Sequence, residues 1–335
     1  MEDRFDARLR AIPPPAFHLL LRRLAGIEAF RGRWEGEAKP PARVQHRIRE
    51  GVVSASAAAS ARIAGSAPAG AAEGYAEALR AVFDGHATMA PEERHVLALH
   101  GCVFRNVASA RRLAGRYKTS AAPPGIERRW VTEPVVLRPP GPLLVPAQME
   151  ALTAWLLSRL GGPEFHPLLV AAGYLLEFLA IRPFGEGNGR VSRLLTNLLL
   201  LRCGHGYIPY ASLEGAIAAR WEEYYLALRR SQATRNLPRP DISPWLLAFL
   251  DALASQQRAA GEAVRRLPRE GSLSGNQMAV MAIATRDGEV TNRRAASELS
   301  LPRETAKQTL NRLVARGALE RLGAGRATRY RPPGS

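Results

Sequence analysis

The chain has 335 residues, enough for two or three domains and at least one sizeable core. Its longest apolar run, around Leu168 to Ile181, is interrupted by Glu177 and too short for a bilayer, and no signal-peptide pattern opens it, so a soluble protein is expected, with the cytoplasm as its compartment. The formal charge of +17 points to an anionic partner, or else to a composition rich in Arg, Ala and Gly with Lys confined to Lys39, Lys118 and Lys307; only its location along the chain separates the two.

After the stop at Pro13-Pro14-Pro15, FHLLLRRLAGIEAFRGRW has helical periodicity. VSASAAASARIAG, Val52 to Gly65, is small and alanine-rich and reads as helix or linker. AEGYAEALRAVFDG and PEERHVLALHGCVFRNVASARRLAG predict helices, the second started by Pro91. From Tyr117 to Pro140 the pattern breaks, and RRWVTEPVVLRPP predicts a hairpin or an extended segment. Helices return at PAQMEALTAWLLSRL, PLLVAAGYLLEFLAI, RVSRLLTNLLLLRCG, SLEGAIAARWEEYYLALRRSQ and SPWLLAFLDALASQQRAAGEAVRRL. Cys102 and Cys203, far apart in apolar surroundings, read as buried reduced thiols. The expected fold is mainly α, a helical bundle with one short β-hairpin and no internal repeat.

Composition shifts near Pro268-Arg269-Glu270-Gly271-Ser272. Beyond it SGNQMAVMAIATRDG, TNRRAASELS and RETAKQTLNRLVARG predict three helices, with Thr291 as an N-cap. ALERL, GAGR and ATRYRP then predict strand, turn and strand. Three helices plus a hairpin is the order of a winged helix–turn–helix. Gly271 to Ser335 holds eleven Arg or Lys against five Asp or Glu, which localises part of the charge. Arg303, Lys307 and Arg312 on the third helix, with Arg326 and Arg329 in the wing, are the expected DNA contacts; a solvated basic face on a protein-interaction module is the alternative.

The stretch IRPFGEGNGRVSR, Ile181 to Arg193, carries the chemistry. A helix N-terminus bears unpaired N–H groups and partial positive charge, so arginines in its first turn are unfavourable unless an anion sits there. Arg190 and Arg193 stand three apart at the start of RVSRLLTNLLLL, on one face. Gly187 and Gly189 allow close backbone approach, Asn188 offers an amide, and Glu186 offers one oxygen to a magnesium whose other positions water and phosphate would fill.

The segment RPFGEGNGRVSR resembles the motif of the Fic family, His-Pro-Phe-x-(Asp/Glu)-Gly-Asn-Gly-Arg-x-x-Arg, at every position but the first. LALHGCVFRN, GRYKTS, FHPLLVAA and EEYYLALRRS follow the order seen in such proteins, and a winged helix commonly closes this branch of the family. The resemblance implies residues 1–90 as an N-terminal helical region, 91–268 as a Fic-like core and 271–335 as a winged helix–turn–helix. It implies binding of ATP with Mg2+ and AMP transfer to a Ser, Thr or Tyr hydroxyl of a protein target. Carried over, Glu186 holds the metal, Gly187, Asn188 and Gly189 form the anion hole, and Arg190 and Arg193 clamp phosphates. A flap within Tyr117 to Pro140 would align the target by strand addition. No membrane partner is expected, and a homodimer is compatible with the sequence.

Two departures from the family pattern matter. Arg182 stands where the family has its base, and a guanidinium has no lone pair to accept a proton. The resemblance therefore implies a nucleotide-binding protein with impaired transfer that regulates DNA. SARIAG, Ser60 to Gly65, fits the family's inhibitory pattern (Ser/Thr)-x-x-x-Glu-(Gly/Asn), but with Ala64 at the glutamate. That change favours the alternative, an active protein adenylyltransferase using another base and lacking its internal brake. A third alternative is a protein-interaction scaffold that binds no ATP. Tyr224 and Tyr225 line either an adenine pocket or the core. His166 and His100 read as structural, and His205 as a remote candidate base at the far end of the motif's helix.

Overall fold

The computed structural model describes residues 4–37, 39–65, 68, 70–120, 139–267, 273–323 and 325–333, with the side chain of Arg326 outside that description. Most of the expected flap, residues 121–138, also lies outside the described residues. The chain folds as two compact units, Met1–Val264 and Arg265–Ser335. Mainly helical, with a two-stranded antiparallel ribbon near its end, it has the fold class its periodicity predicts. No helix among the described residues is long and apolar enough to cross a membrane.

The first unit contains α1 (Arg4–Arg10), α2 (Pro14–Gly36), α3 (Ala42–Ala64), α4 (Ala71–Gly85), α5 (Glu93–Phe104), α6 (Val145–Arg159), α7 (Pro167–Ile181), α8 (Asn188–Arg202), α9 (Leu213–Ala219), α10 (Trp221–Thr234) and α11 (Ser243–Arg265). Prolines in the first turn start α2, α6 and α7, where their missing N–H costs nothing. The centre is the pair α7 and α8, both buried almost throughout. Leu194, Leu195, Leu198, Leu199 and Leu200 of α8 are fully buried, each contributing about 1.5–3 kcal/mol of hydrophobic stabilisation. One continuous core joins these helices to α2, α3, α4 and α11. Buried Glu177 of α7 forms ion pairs with Arg8 at 2.7 Å and Arg235 at 2.8 Å, tying α1 and the end of α10 to the central helix.

The alanine-rich Val52–Gly65 stretch, open between helix and linker in sequence, is the second half of α3. Its small residues Ser56, Ala57, Ala59 and Ser60 are buried, and α3 packs against α4 and α9. Two expected helices are shorter than their periodicity implied. The one expected to run from Pro91 to Gly115 stops at Phe104, because the following turns fold back so that the Gly115 N–H donates to His100 Nδ1 at 3.0 Å. The stretch SLEGAIAARWEEYYLALRRSQ forms two helices, α9 and α10, with the break at Arg220 (φ −131°, ψ 38°). The two halves serve different partners: α9 packs chiefly on α3, and α10 chiefly on α7. Cys102 and Cys203 are free thiols, half-buried rather than buried.

In the second unit α12 (Gly275–Asp287) opens with a capping box between Ser274 and Gln277. In α13 (Asn292–Glu298) the Thr291 side chain accepts the Arg294 N–H, the expected cap. After α14 (Arg303–Ala315), β1 (Glu320–Leu322) and β2 (Arg329–Arg331) pair antiparallel with Arg321 opposite Tyr330. A small core of Val280, Ile283, Leu310, Leu313 and Tyr330 holds them together.

Candidate phosphate-binding site

The site forms where α7 ends and α8 begins. Arg182 turns the chain at φ 48°, ψ 66°, a left-handed conformation that costs a non-glycine residue about 1–2 kcal/mol. Lys118 holds this turn on both sides: its N–H donates to the Pro183 carbonyl at 2.9 Å and its Nζ to the Ile181 carbonyl at 3.1 Å. Burial, and then the charge of Arg182, pulls the Lys118 pKa down to about 8.

The Asn188 side chain clips the loop shut. Its Oδ1 accepts the Phe184 N–H at 2.9 Å and its Nδ2 donates to the Phe184 carbonyl at 2.8 Å. That amide is spent on the loop, so what α8 offers an anion is the unpaired backbone N–H groups of its first turn. Gly187, the N-cap, has φ 79°, and a Cβ there would lie 2.2 Å from Phe104 Cε2. At Gly189 the nearest atom to such a Cβ is Arg193 Nη1 at 3.4 Å.

Arg190 and Arg193 are each 7% exposed and face one cavity of about 400 Å³. Arg190 lies over the Phe104 ring, 5.6 Å from its centroid. Burial and then Arg193 pull the Arg190 pKa down, with Glu186 opposing. A guanidinium stays charged all the same, so the pair leaves the cavity short of negative charge. Arg182 and the exposed Glu186 also line it, as do Tyr224 and Tyr225 of α10. The Tyr225 hydroxyl is buried with no hydrogen-bond partner among the described residues. Also among the described residues, no three His, Cys, Asp or Glu side chains gather as a metal site.

His100 does more than fill the core. Its ring stacks on Phe184 with centroids 3.9 Å apart, Nδ1 accepts from Gly115, and Nε2 donates to the Glu186 carbonyl at 3.2 Å. These bonds require the neutral ring, and burial holds its pKa at about 4. An unfolded histidine protonates near pH 6.5, so between pH 6.5 and 4 the unfolded chain binds the extra proton. Stability is therefore expected to fall through that window, by up to about 3 kcal/mol from His100. Urea unfolding at pH 7 and pH 4.5 should show a larger loss for the wild type than for His100→Gln. Of the other histidines, His166 caps α7 by accepting the Leu168 N–H at 3.2 Å. His205 follows the C-terminus of α8, roughly 22 Å of helix from the first turn that carries Arg190.

The α3 end reaches the same cavity. Arg193 Nη2 donates to the Ser60 hydroxyl at 2.8 Å and carbonyl at 3.2 Å, and its Nε to the hydroxyl at 3.3 Å. Ile63 and Ala64 line the cavity, and Gly65 closes α3 with φ 75°. Ser60, Ala64 and Arg193, distant in sequence, are thus brought together. Arg229 and Gln232 of α10 also line this space, with Arg229 Nη1 donating to Gln232 Oε1 at 3.2 Å. They, with Lys118, are the residues sequence reasoning missed, while His100, expected to be structural, is buried and also holds the loop. The only signal was that LALHGCVFRN, GRYKTS and EEYYLALRRS were already singled out as segments.

In the second unit Arg303, Lys307 and Arg312 are exposed on α14. At about 100° per residue Arg303 and Lys307 share one flank of the helix and Arg312 lies on the opposite one. Arg329 pairs with Glu289 at 2.5 Å.

The Fic/DOC family model matches residues 90–200. A protein adenylyltransferase Fic of Nematostella vectensis is 39% identical over 92 residues, 27% of this chain and 19% of that protein. Another, of Aedes aegypti, is 43% identical over 67 residues, 20% of this chain and 13% of its own. The chain thus matches about a fifth or less of the length of these relatives. Among solved structures, a Fic family protein from Desulfovibrio desulfuricans shares the fold at 23% identity, with a TM-score of 0.59 over 96% of this chain and 97% of that one.

Proposed function

We propose, starting from the match of residues 90–200 to the Fic/DOC family model, that the chain binds ATP with Mg2+ at the N-terminus of α8 and acts in the cytoplasm. Transfer of AMP to a protein Ser, Thr or Tyr hydroxyl is impaired, because Arg182 stands at the base position. The observation that carries this reading is the burial of Arg190 and Arg193 in the first two turns of α8, where the helix dipole already opposes them. A polyphosphate supplies the missing charge through charge-assisted hydrogen bonds. Glu186 fits Mg2+ as a single protein ligand completed by phosphate and water, and the ion would neutralise phosphate charge. The aromatic wall with the unpartnered Tyr225 hydroxyl fits the nucleoside end.

Calorimetry with ATP and Mg2+ tests the site. Arg190→Gln is expected to weaken binding roughly 10–100-fold, the loss of a hydrogen bond to a charged group. Absence of ATP binding by the wild type, with Arg190 and Arg193 intact, would leave an interaction scaffold instead. The second reading, an active transferase with another base, is favoured by Ala64, which brings no carboxylate to Arg193 at the cavity wall.

We further propose that the C-terminal unit is a winged helix–turn–helix that binds DNA, supported by its three helices, its ribbon and the exposed Arg303 and Lys307. Binding should weaken steeply with salt, and Arg303→Gln should lower the log–log salt slope by about 0.9. DNA binding that survives deletion of 271–335 would refute this assignment.

A further inference from the structure

Several arginines of the C-terminal unit are already committed to carboxylates. Arg286 and Arg294 pair with Asp287 and Glu298, Arg329 with Glu289, and Arg331 with Glu320. Arg303, Lys307 and Arg312 of α14 have no ion-pair partner among the described residues. Between these three cations the helix carries something other than positive charge.

Ala306, Thr309, Leu310 and Leu313 are the buried side of α14. At about 100° per residue, Glu304, Gln308 and Asn311 lie within roughly 30° of the line opposite that side. Their spacing of four and then three residues makes them one ridge. All three are exposed, and among the described residues none of their side chains has a hydrogen-bond or ion-pair partner. Lys307 stands about 70° to one side of the same line and Arg312 about 70° to the other.

A ridge of amides and one carboxylate between cationic flanks matches a groove walled by phosphates and floored by base edges. The flanks supply affinity that is blind to sequence. The ridge supplies choice. An Asn or Gln amide pairs with adenine N6 and N7 together, and a Glu carboxylate accepts from the cytosine N4 amino group. That carboxylate is repelled by the phosphates, so it disfavours every site where no amino group meets it. From Glu304 to Asn311 the helix rises about 10 Å, the rise of about three base pairs.

We infer that Glu304, Gln308 and Asn311 are the specificity-determining residues of the DNA site, the two amides reading adenines and the carboxylate a cytosine within one short block of the major groove. Arg303 and Lys307 on one flank and Arg312 on the other hold the phosphates on either side. The inference rests on the DNA-binding reading of this unit.

The test is selection by the full chain from a pool of duplexes with a randomised core, followed by titration of the selected duplex and a scrambled one. The wild type is expected to enrich one short block. Gln308→Ala and Asn311→Ala should each relax the choice at an A·T pair and cut the preference for the selected duplex roughly 5–150-fold. Their affinity for the scrambled duplex should change by less than about 2-fold, with the salt slope kept, since neither residue meets a phosphate. Glu304→Gln should relax a C·G pair and tighten binding to the scrambled duplex. Arg312→Gln should instead weaken both duplexes alike. Enrichment of the same block by the wild type and both amide variants, or equal losses on both duplexes for those variants, would overturn the inference. A wild type that binds duplexes but enriches no block would overturn it too, and would leave the DNA-binding reading standing. Binding to no duplex even at low salt would overturn that reading and this inference with it.

Discussion

Replacing Arg182 with His is expected to raise transfer of labelled AMP from ATP to protein by roughly 10²–10⁴-fold over the wild-type chain, the range for a positioned general base. Arg182 lines the cavity beside Glu186 and Arg190, at the residue that ends α7. A guanidinium there cannot take a hydroxyl proton, and the lost base corresponds to about 3–5 kcal/mol of barrier at 1.4 kcal/mol per decade. The backbone accepts the exchange, because histidine is among the residues enriched in the left-handed region Arg182 occupies. Lys118 still holds the carbonyls on either side, so the new imidazole starts from an ordered turn. Incubation with labelled ATP and a lysate, followed by gel autoradiography, reads the difference. Wild-type transfer at a rate like that of the variant would reject impairment and leave the active-transferase reading.

Gly187→Ala is expected to destabilise the first unit by about 2–5 kcal/mol and to abolish ATP binding. Two terms add. The left-handed backbone costs an alanine about 1–2 kcal/mol, and overpacking a core costs about 1–3 kcal/mol. Here the methyl would meet the Phe104 ring at 2.2 Å. Phe104 is fully buried and itself carries Arg190 over its face, so relieving the clash displaces the Arg190 guanidinium as well. Gly189→Ala is the control. Its methyl meets only the end of the Arg193 side chain at 3.4 Å, so the protein should stay as stable as the wild type while ATP affinity changes. Chemical denaturation and calorimetry on both variants check this. A Gly187→Ala protein as stable as the wild type would mean that the loop adopts another path.

What the sequence determines by itself is local. The helices follow from periodicity, their starts from prolines and small polar caps, and the expectation of an anion site from arginines at a helix beginning. That much was legible because each signal lies within a few residues of its effect. Arg182 was conspicuous for the same reason, since one position in a contiguous motif departs from its pattern.

Only the tertiary structure decides what lies far apart in sequence. His100 sits 86 residues from the carbonyl it holds, and Ser60 is 133 residues from Arg193. Glu214 reaches Tyr75 across 139 residues. The SLEGAIAARWEEYYLALRRSQ stretch has one helical period, and only packing on two different partners breaks it at Arg220. The physical reason is common to all of these. A buried polar group must find a hydrogen-bond partner wherever the fold supplies one, and which partner arrives depends on how helices stack rather than on neighbours along the chain.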